Sequence, residues 1–544
     1  MKMKLTDYLV QRLYKLGIEE VFGLPGDFNF KIVEAIEKNN NVNWIGSTNE
    51  LNAGYCADGY ARIKGYGAIV TTFGVGELSA INAIAGCMAE NVPVIKIVGT
   101  PSTKHIKNRT LLHHNLANAD YHAFKRAFDN VVEASAFLTE ENPKQEIDRI
   151  LSVMIKTKKP VYLAIPMDIC DIEVEYDFEI EKETSDKELL YRAADEIVKL
   201  LQNSKKPSVI ADILTTRFDA KKELNLFLKK TKIPSTSFIR GMDVIDSNTK
   251  NYFGVYCGKI ANKDCYEYIN SSDLIVLSGG VVSDLNTMNF DFNFELKNTI
   301  DIQPNYVKIK NVKYENVLMK DLIELITQKT NYSSEENFDF GISYEKTQIK
   351  ETKPLDCEYI YSRLYEFIKE DDIFVTEVGL TPFGAIPMKF PKNISIQNQM
   401  LWGSIGWATP CTLGCAIADR NRRTILITGD GAHQLTAQEI ATMMRNNVKP
   451  IIFVINNSGY TVERILCDDV DYLYNDISQW NYAKLPEVFK GDCFSACATT
   501  NSEFDEILRK IEKENRMCYV ELKTDYLDIP PLAKAIAKHP EKLK

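Results

Sequence analysis

The sequence predicts an α/β protein of three domains, in each of which helices cover a parallel sheet. The first observation is the length of the chain. At about 150 residues per domain, 544 residues predict three or four domains. Secondly, short apolar runs alternate with helix-length amphipathic segments in three separate stretches, as parallel strands linked by helices do. Thirdly, 45% hydrophobic and 26% charged residues are ordinary for a globular chain and exclude disordered, collagen-like and coiled-coil proteins.

Five short apolar runs predict strands in the first stretch, which covers residues 1–180. Gly and Pro at the ends of these runs mark the turns that separate strands from helices. The predicted strands are Glu20–Gly23, Trp44–Ser47, Ala68–Thr72, Val94–Val98 and Val161–Ile165.

Two polar segments predict linkers between the stretches. The charged segment Glu179–Glu188 precedes a middle stretch in which we recognise no catalytic cluster, and the polar segment Thr330–Lys353 precedes the third stretch. The predicted domains are therefore 1–180, 190–330 and 355–544. The strands predicted in the middle and third stretches are Ser208–Ala211, Leu274–Ser278, Val307–Lys310, Ile373–Thr376, Thr424–Thr428, Ile451–Ile455 and Tyr519–Leu522.

Charge and apolar patterning exclude several classes of partner. With 65 basic and 75 acidic residues the net charge is −10, which disfavours nucleic acid and anionic lipid surfaces. The longest uncharged segment, Asn393–Ala418, carries glutamines, glycines and a proline, unlike a membrane span. The N-terminal residues predict an amphipathic helix rather than a signal peptide. Twelve cysteines without any C-x-x-C pair predict buried reduced thiols, so we expect a cytoplasmic protein.

The strongest chemical signal lies where two predicted strands of the third stretch end. One strand runs into Gly429-Asp430-Gly431, and the next runs into Asn456-Asn457 after 24 intervening residues. A carboxylate and a carboxamide at neighbouring strand ends offer the oxygen ligands that a divalent cation prefers. The glycines and a helix expected to start near Ala432 offer N–H groups to a diphosphate. A lone GDG segment is usually only a turn, but the Asn pair at this spacing and the following Gly459 favour a cation site.

These segments resemble those of the thiamine diphosphate-dependent 2-oxo-acid decarboxylases, which include the pyruvate, indolepyruvate, phenylpyruvate and branched-chain enzymes. The resemblance covers nearly the whole chain. It implies three doubly wound parallel-sheet domains of the thiamine diphosphate enzyme fold: pyrimidine-binding (1–180), central (190–330) and diphosphate- and Mg²⁺-binding (355–544). Further segments that carry it are FGLPGD at Phe22–Asp27, NELNAGYCADGYAR at Asn49–Arg62, GVGELSAINAIAG at Gly74–Gly86 and LWGSIG at Leu401–Gly406.

The resemblance implies thiamine diphosphate and Mg²⁺ as cofactors and a 2-oxo acid as substrate. The implied metal ligands are Asp430, Asn457 and the Gly459 carbonyl. Glu50 would hydrogen-bond the pyrimidine ring, although without the resemblance the sequence favours a helix-cap or salt-bridge residue there. Ile405 would hold the cofactor in a bent shape. The implied cofactor-binding residues are Glu50, Gly403, Ile405, Gly429, Asp430, Gly431, Ala432, Asn457, Gly459, Tyr460 and Thr461.

The implied catalytic residues are Asp27, Glu50, His113, His114 and Glu463. An adjacent histidine pair is not by itself a metal site, because neighbouring side chains point in different directions. By the resemblance, His113 and His114 form a proton relay with Asp27, and Glu463 lies beside the reacting carbon of the substrate. The alternatives are ordinary surface histidines and an exposed helix acid paired with Arg464 or Lys449.

The expected substrate pocket contains Pro382, Val462 and Leu466. Val462 stands where pyruvate enzymes commonly have Ile, and one methylene of room is worth about 1–3 kcal/mol of discrimination. The segment DIPPL at Asp528–Leu532 resembles enzymes of larger substrates. We therefore expect branched-chain or aromatic 2-oxo acids (phenylpyruvate, indolepyruvate, 3-methyl-2-oxobutanoate), with pyruvate as the alternative.

Other features stay open at this stage. Leu380 replaces a Thr that relatives use near the cofactor, and the neighbouring Thr381 is a candidate substitute. A thiamine-dependent carboligase and a non-catalytic relative are the competing classes. The resemblance implies a homodimer at minimum and a homotetramer as the expected assembly, with no nucleic acid or membrane partner.

Overall fold

The computed structural model describes residues 2–177, 183–291, 299–341, 343–344 and 352–543. Three large sheets of six, seven and six strands follow one another along the chain. The prediction of an α/β protein with three sheet units is confirmed. Parts of the predicted linkers, residues 179–182, 342 and 345–351, lie outside the described residues.

The first sheet takes its six strands from residues 20–166. These six strands are β2 (Glu20–Gly23), β3 (Asn43–Gly46), β4 (Gly67–Thr72), β5 (Val94–Thr100), β6 (Ala134–Phe137) and β7 (Val161–Pro166). Two short strands, β1 (Lys2–Lys4) and β8 (Glu173–Glu175), lie outside the six-stranded sheet. The sheet is parallel in the order β3-β2-β4-β5-β7-β6, and β1 pairs with β8. Strands β4, β5 and β7 are buried along their whole length, so they appear in the sequence as mainly apolar runs. The helices are α1 (Leu5–Lys15), α2 (Phe30–Glu37), α3 (Glu50–Lys64), α4 (Val75–Ser79), α5 (Ile81–Glu90), α6 (Thr103–Lys107), α7 (Ala123–Phe128) and α8 (Pro143–Thr157).

The middle sheet differs from the prediction because one of its edges is antiparallel. Its strands are β9 (Pro207–Ala211), β10 (Ser235–Ser237), β11 (Tyr252–Val255), β12 (Leu274–Ser278), β13 (Thr299–Gln303), β14 (Tyr306–Ile309) and β15 (Val312–Glu315). In the order β11-β10-β9-β12-β13-β14-β15, the last three strands form an antiparallel meander. Two residues connect β13 to β14, and two connect β14 to β15. Connections this short join only antiparallel strands, because a parallel crossover needs a dozen residues or more.

Helices also pack against the middle sheet. They are α9 (Lys187–Asn203), α10 (Ile213–Arg217), α11 (Lys221–Thr231), α12 (Gly258–Ala261), α13 (Lys263–Asn270), α14 (Asp284–Thr287) and α15 (Met319–Lys329).

The third sheet repeats the strand order of the first. Its strands are β16 (Ile373–Thr376), β17 (Ser395–Gln397), β18 (Thr424–Gly429), β19 (Ile451–Asn456), β20 (Cys493–Ala498) and β21 (Met517–Lys523). They lie parallel in the order β17-β16-β18-β19-β21-β20. The helices are α16 (Cys357–Phe367), α17 (Thr381–Ala385), α18 (Ala408–Ala418), α19 (Asp430–Gln434), α20 (Glu439–Arg445), α21 (Thr461–Leu466), α22 (Leu485–Val488) and α23 (Asn501–Ile511).

Every predicted strand coincides with an observed strand to within two residues at either end. The strands that the sequence did not predict are mostly short ones at sheet edges, where one side faces solvent and the apolar signal is weak. They are β1, β6, β8, β10, β11, β13, β15, β17 and β20.

Two helices from different sheet units, α3 and α18, pack with their backbones almost in contact. A Cβ atom on Gly59 would lie 2.2 Å from the Cys411 carbonyl oxygen, and one on Gly414 would lie 2.0 Å from the Cys56 carbonyl oxygen. Only glycine at both positions allows this approach. The first and third sheet units are therefore joined across a glycine-lined helix crossing.

A buried polar cluster lies beside the same crossing. Asp58 of α3 pairs with Arg62 one turn later and accepts a hydrogen bond from Trp407 Nε1 at 3.0 Å. The Arg62 guanidinium also covers the Trp407 ring at 4.6 Å and donates to the Asn398 carbonyl at 2.7 Å. These contacts fix the loop that precedes α18 against α3.

The state of the cysteines and the hydropathy of the helices are two further features of the fold. All twelve cysteines lie in the described part of the chain and are free, and nine of them are buried. Among the described helices, none combines the length and hydropathy needed to cross a membrane.

His433 of α19 is a buried histidine whose two ring nitrogens are both hydrogen-bonded. Nδ1 lies 2.8 Å from the Thr409 hydroxyl, and Nε2 lies 2.8 Å from the Tyr519 hydroxyl. Burial lowers its pKa from 6.5 to about 3. The ring therefore stays neutral in the folded protein at every ordinary pH, whereas the unfolded chain protonates it below about pH 6.5.

Substitution of Gly414 by Ala should destabilise the protein. The added methyl group collides with backbone that cannot move aside, and such overpacking costs about 1–3 kcal/mol. Gly46→Ala is the matched control, since its Cβ meets only ordinary contacts at 3.5 Å or more. Urea unfolding followed by tryptophan fluorescence measures both variants. Equal midpoints for the two would contradict the close helix contact.

His433→Gln should make the free energy of unfolding less sensitive to acid. The stability that depends on a neutral His433 is complete above about pH 6.5 and is lost towards pH 3, at up to about 1.4 kcal/mol per pH unit. The amide keeps hydrogen-bonding capacity but does not titrate. Urea midpoints at pH 7.5, 6.5 and 5.5 should therefore converge for the two proteins as the pH falls. A constant difference would show that the folded protein protonates His433 freely.

Candidate active site

Asp430 lies at the end of β18, where the carboxyl ends of the third sheet's strands meet. Its Oδ1 accepts from the Gly431 N–H at 2.8 Å, and its Oδ2 accepts from the Ser458 N–H at 2.7 Å. Burial raises its pKa to about 6, although these N–H donors oppose the change. The helix predicted to start near Ala432 is α19, which begins at Asp430, because Gly429 takes the extended conformation of a cap residue.

The Asn457 carboxamide faces Asp430 and shows how a cation fits the site. One of its terminal atoms lies 3.1 Å from Asp430 Oδ1 and 3.2 Å from the Gly459 carbonyl oxygen, and the other lies 2.9 Å from the Thr461 hydroxyl. That hydroxyl already donates to the Tyr526 carbonyl at 3.0 Å, so it accepts from the amide NH₂. The amide oxygen then faces two other oxygens.

Three oxygens that face one another repel unless a cation lies between them. Carboxylate, carboxamide and backbone carbonyl are all ligands that Mg²⁺ accepts. The residues predicted as metal ligands, Asp430, Asn457 and Gly459, are thus brought together in a set that suits a hard divalent ion.

Glycine is required at two positions around this oxygen set. Gly459 has φ +149°, and a Cβ there would lie 2.2 Å from the Asn475 carbonyl oxygen. A Cβ on Gly431 would lie 2.6 Å from the Tyr460 ring. The aromatic ring therefore covers the turn that follows Asp430 and closes one side of the site.

A pocket opens next to the oxygen set. Among its lining residues are Ile405, Val462 and Leu380, together with Gly429, Asp430, Gly431, Ala432, Asn457, Gly459, Tyr460 and Thr461. Within the described chain, Gly403, Pro382 and Leu466 do not line it. Pro382 is buried in α17, and Leu466 is 48% exposed on α21. Their predicted roles stay predictions.

Thr381 lines the pocket, but its hydroxyl group is committed. It donates to the Glu377 carbonyl at 2.5 Å. The Glu377 side chain, buried at the end of β16, accepts from the Val378 N–H at 2.9 Å, and burial raises its pKa to about 7. Sequence reasoning missed Glu377, although a carboxylate directly after an apolar strand is a signal that we also used for Asp430.

The other candidate residues lie in the first sheet unit. Glu50 is the first residue of α3, and its neighbour Asn49 caps that helix by accepting from the Asn52 N–H at 2.8 Å. Glu50 is therefore not the cap. It also forms no ion pair within the described residues. Its Oε1 approaches the Gly76 backbone, where a Cβ atom would lie 3.1 Å away.

Asp27, His113 and His114 form one cluster. Their polar atoms lie within 4.8 Å of one another, and His113 Nε2 is 3.0 Å from Asp27 Oδ2. The two imidazole rings are 4.4 Å apart. His114 has φ +64°, and this left-handed turn brings adjacent side chains together, contrary to the expectation that neighbours diverge. Gly74 makes the turn possible, since a Cβ there would lie 2.1 Å from the His114 carbonyl oxygen.

Glu463 lies in the first turn of α21, next to Val462, and is exposed. The basic residues suggested as its partners are engaged elsewhere. Arg464 pairs with Asp476 at 2.5 Å, and Lys449 donates to Asn515. The Glu463 carboxylate is therefore exposed, next in sequence to the pocket-lining Val462, and forms no ion pair within the described part of the chain.

The loop before α18 carries Gly403 and Ile405 and is fastened to the first sheet unit. Glu90 Oε1 accepts from the Leu401 and Trp402 N–H groups at 2.8 and 3.0 Å. Its other oxygen is 3.0 Å from the buried Arg240 of the middle unit. Burial alone would raise the pKa of Glu90, but the nearby guanidinium groups and N–H donors hold it below its ordinary value. This buried carboxylate, which the sequence did not suggest, joins all three units.

The site is divided within one chain. The described residues that line the pocket come from the third unit and the loop before α18, and Asp27, Glu50, His113 and His114 are not among them. The chain thus presents two half-sites, one with an oxygen set for a cation and one with a cluster of titratable groups.

Three family models match successive parts of the chain. The family model for the thiamine pyrophosphate enzyme N-terminal TPP binding domain matches residues 3–129. The models for the central domain and the C-terminal TPP binding domain match residues 194–328 and 378–522.

Curated relatives match along nearly the whole chain. Pyruvate decarboxylase isozyme 3 of Saccharomyces cerevisiae is 36% identical over 546 residues, which is 97% of each chain. Pyruvate decarboxylase of Candida glabrata is 36% identical over 548 residues, 97% of this chain and 96% of its own. A putative pyruvate decarboxylase of Schizosaccharomyces pombe is 35% identical over 561 residues, 99% and 98% of the two chains. The chain belongs to the thiamine diphosphate-dependent 2-oxo-acid decarboxylases, enzymes that use thiamine diphosphate with Mg²⁺.

Proposed function

We propose that this protein decarboxylates pyruvate to acetaldehyde and CO₂ without oxidation. The observation that carries the proposal is the full-length similarity to several proteins named pyruvate decarboxylase. The two half-sites support it, because they contain the cation ligands and the acid–base cluster that such a reaction needs. The proposed domains are 1–180, 190–330 and 355–544.

The third unit would hold the cofactor through its diphosphate. Asp430, Asn457 and the Gly459 carbonyl would bind Mg²⁺, and the backbone at Gly429, Gly431 and Ala432, which lines the pocket, would donate N–H groups to the diphosphate. When bound, thiamine diphosphate supplies the electron sink for the carbon–carbon bond that breaks. The other proposed contacts are Gly403, Ile405, Tyr460 and Thr461.

Residues of the first unit would carry out the proton transfers. Glu50 would share a proton with the pyrimidine ring. Asp27, His113 and His114 would pass a proton to the product carbon, since a 3.0 Å contact already links Asp27 to His113. Glu463 would steer the charge of the substrate carboxylate. Removal of the substrate carboxylate as CO₂ would relieve its repulsion with the Glu463 carboxylate.

A second copy of the chain would complete each site. The described lining of the pocket lacks the first unit's cluster, so we propose that the cluster of one subunit meets the pocket of its partner. Ile405 and Trp402, 37% and 42% exposed next to the pocket, are apolar surfaces that such a contact would cover. The proposed assembly is a homodimer, paired into a homotetramer, and the proposed location is the cytoplasm.

A larger 2-oxo acid is the second candidate substrate. The observation that favours it is Val462, which lines the pocket with a side chain smaller than Ile. Leu466, one turn later on α21, is half exposed. Branched-chain and aromatic 2-oxo acids would use the room that the smaller Val462 side chain leaves.

Release of CO₂ by the purified protein with thiamine diphosphate and Mg²⁺ tests the proposal. We expect turnover of pyruvate, with weaker turnover of 3-methyl-2-oxobutanoate, phenylpyruvate and indolepyruvate. Glu50→Gln should lower kcat by about 10²–10⁴-fold, because an acid–base group of this kind contributes that much. The matched control is Glu506→Gln, an exposed acid of α23 whose ion pair in the described chain is with Lys510, which should keep full activity. Cofactor binding without CO₂ release from any substrate would refute the proposal.

Val462→Ile should sharpen the preference for pyruvate. The added methylene narrows the pocket, so kcat/KM for 3-methyl-2-oxobutanoate should fall about 10–200-fold relative to pyruvate. Val488→Ile, at a position that is 67% exposed, is the control. An unchanged ratio of the two kcat/KM values would show that residue 462 does not contact the substrate side chain.

A further inference from the structure

Glu439 is a buried acid that the proposed reaction does not use. It is the first residue of α20, and its exposed fraction is 0%. Within the described residues it forms no ion pair, and its Oε1 has no hydrogen-bond partner. Burying a carboxyl group with so few partners costs free energy. The contacts that it does make therefore indicate what the group is for.

The other oxygen of Glu439 binds the segment from which α3 starts. Oε2 accepts from the Thr48 hydroxyl at 2.6 Å and from the Asn52 side-chain amide at 2.8 Å. The Asn52 amide also donates to the Thr48 hydroxyl at 2.9 Å. The three side chains thus form a closed triangle of hydrogen bonds, in which one corner belongs to the third unit and two belong to the first.

The helix α20 holds the same segment at a second point. Arg445, its last residue, donates to the carbonyl of Gly46 at the end of β3. Three residues connect β3 to Glu50, the first residue of α3. Because Glu50 lies midway between Thr48 and Asn52, the hydrogen-bond triangle fixes its backbone from both sides, while Arg445 fixes the strand that leads to it.

The Glu50 side chain depends on this backbone for its position. Within the described part of the chain its carboxylate forms neither an ion pair nor a hydrogen bond. Its Oε1 faces the backbone of Gly76, where a Cβ atom would lie 3.1 Å away. With no polar partner of its own there, the carboxylate lies where the start of α3 places it.

We propose that Glu439 is a positioning residue for Glu50: by binding Thr48 and Asn52 it fixes the start of α3, so that the Glu50 carboxylate meets the pyrimidine ring of the cofactor in the right geometry. The proposal rests on the role proposed above for Glu50. Displacement of a reacting group by about 1 Å costs about 10²-fold in rate. Loss of the triangle should therefore slow proton transfer on the cofactor, whereas the proposed diphosphate contacts stay in place.

Exchange of the cofactor's thiazolium C2 proton for deuterium, followed by acid quench and NMR without substrate, tests the proposal. The full-length protein is loaded with Mg²⁺ and thiamine diphosphate, and the Kd of the cofactor is measured in parallel. Glu439→Leu removes the acceptor, whereas Glu439→Gln keeps an oxygen for Thr48 and Asn52. The matched control is Asp505→Leu, which removes another buried acid of the third unit, one that pairs with Arg363 at 2.6 Å.

We expect Glu439→Leu to slow the exchange by up to about 10²-fold, with little change in the Kd of the cofactor. Glu439→Gln should recover most of the rate. Asp505→Leu should exchange at the wild-type rate even where urea unfolds it more easily. In the Glu50→Gln background, Glu439→Leu should slow the exchange no further. A wild-type rate in Glu439→Leu, or an equal decrease in the Glu50→Gln background, would overturn the proposal.

A second variant covers the case in which Glu439→Leu does not fold. Thr48 is exposed, and Thr48→Val keeps its shape but removes the hydroxyl that the triangle needs. A smaller decrease in the exchange rate is expected, and an unchanged rate would count against the proposal. Failure of the proposed role of Glu50 has a separate signature. If Glu50→Gln exchanges the proton as fast as the wild type, the role of Glu50 is wrong and the proposal for Glu439 falls with it.

Discussion

The contact between α3 and α18 is the constraint on which the site depends. Their backbones meet at Gly59 and Gly414, where no side chain fits between them. Glu50 begins α3, and Ile405 lies three residues before α18 begins. The helix crossing therefore sets where the titratable half-site lies relative to the loop that reaches the pocket. Close packing of this kind is stiff, because interiors are packed like crystals and do not deform gradually.

Buried charged groups near the helix crossing also hold the sheet units together. Glu90 takes N–H groups from the loop before α18 and a guanidinium from the middle unit, while Asp58 holds Arg62 next to Trp407. Each group is costly to bury alone but satisfied in this arrangement. The middle sheet unit, none of whose described residues lines the pocket, is tied to the site through Arg240. Ile239 and Met242, next to Arg240, also share an apolar core with residues of the third unit. Packing and the ion pair together therefore fix the place of the middle unit.

The sequence predicted the parts of the molecule that rest on local patterns. Fully buried strands appear as apolar runs, and the predicted cation ligands Asp430 and Asn457 lie where two such runs end. It did not predict the β13–β15 meander, because edge strands that face solvent on one side have weak patterns. The meeting of His113 and His114 depends on a positive φ angle at His114 that only tertiary contact with Gly74 determines. The environment of Lys96, a charged residue in the apolar strand β5, likewise depends on tertiary contact, since its ammonium group donates to Thr71 of β4.

The antiparallel hairpin at the end of the middle sheet has a consequence for solubility. An outermost strand offers unpaired N–H and C=O groups to any other chain, and a flat apolar edge invites aggregation. Here β15 has three of its four residues exposed, and Lys313 pairs with Glu315 at 2.7 Å and covers the Tyr306 ring at 4.0 Å. A foreign strand that added to this edge would have to displace charged, hydrated side chains. The middle unit thus ends in an edge that is poorly suited to growth into a larger sheet.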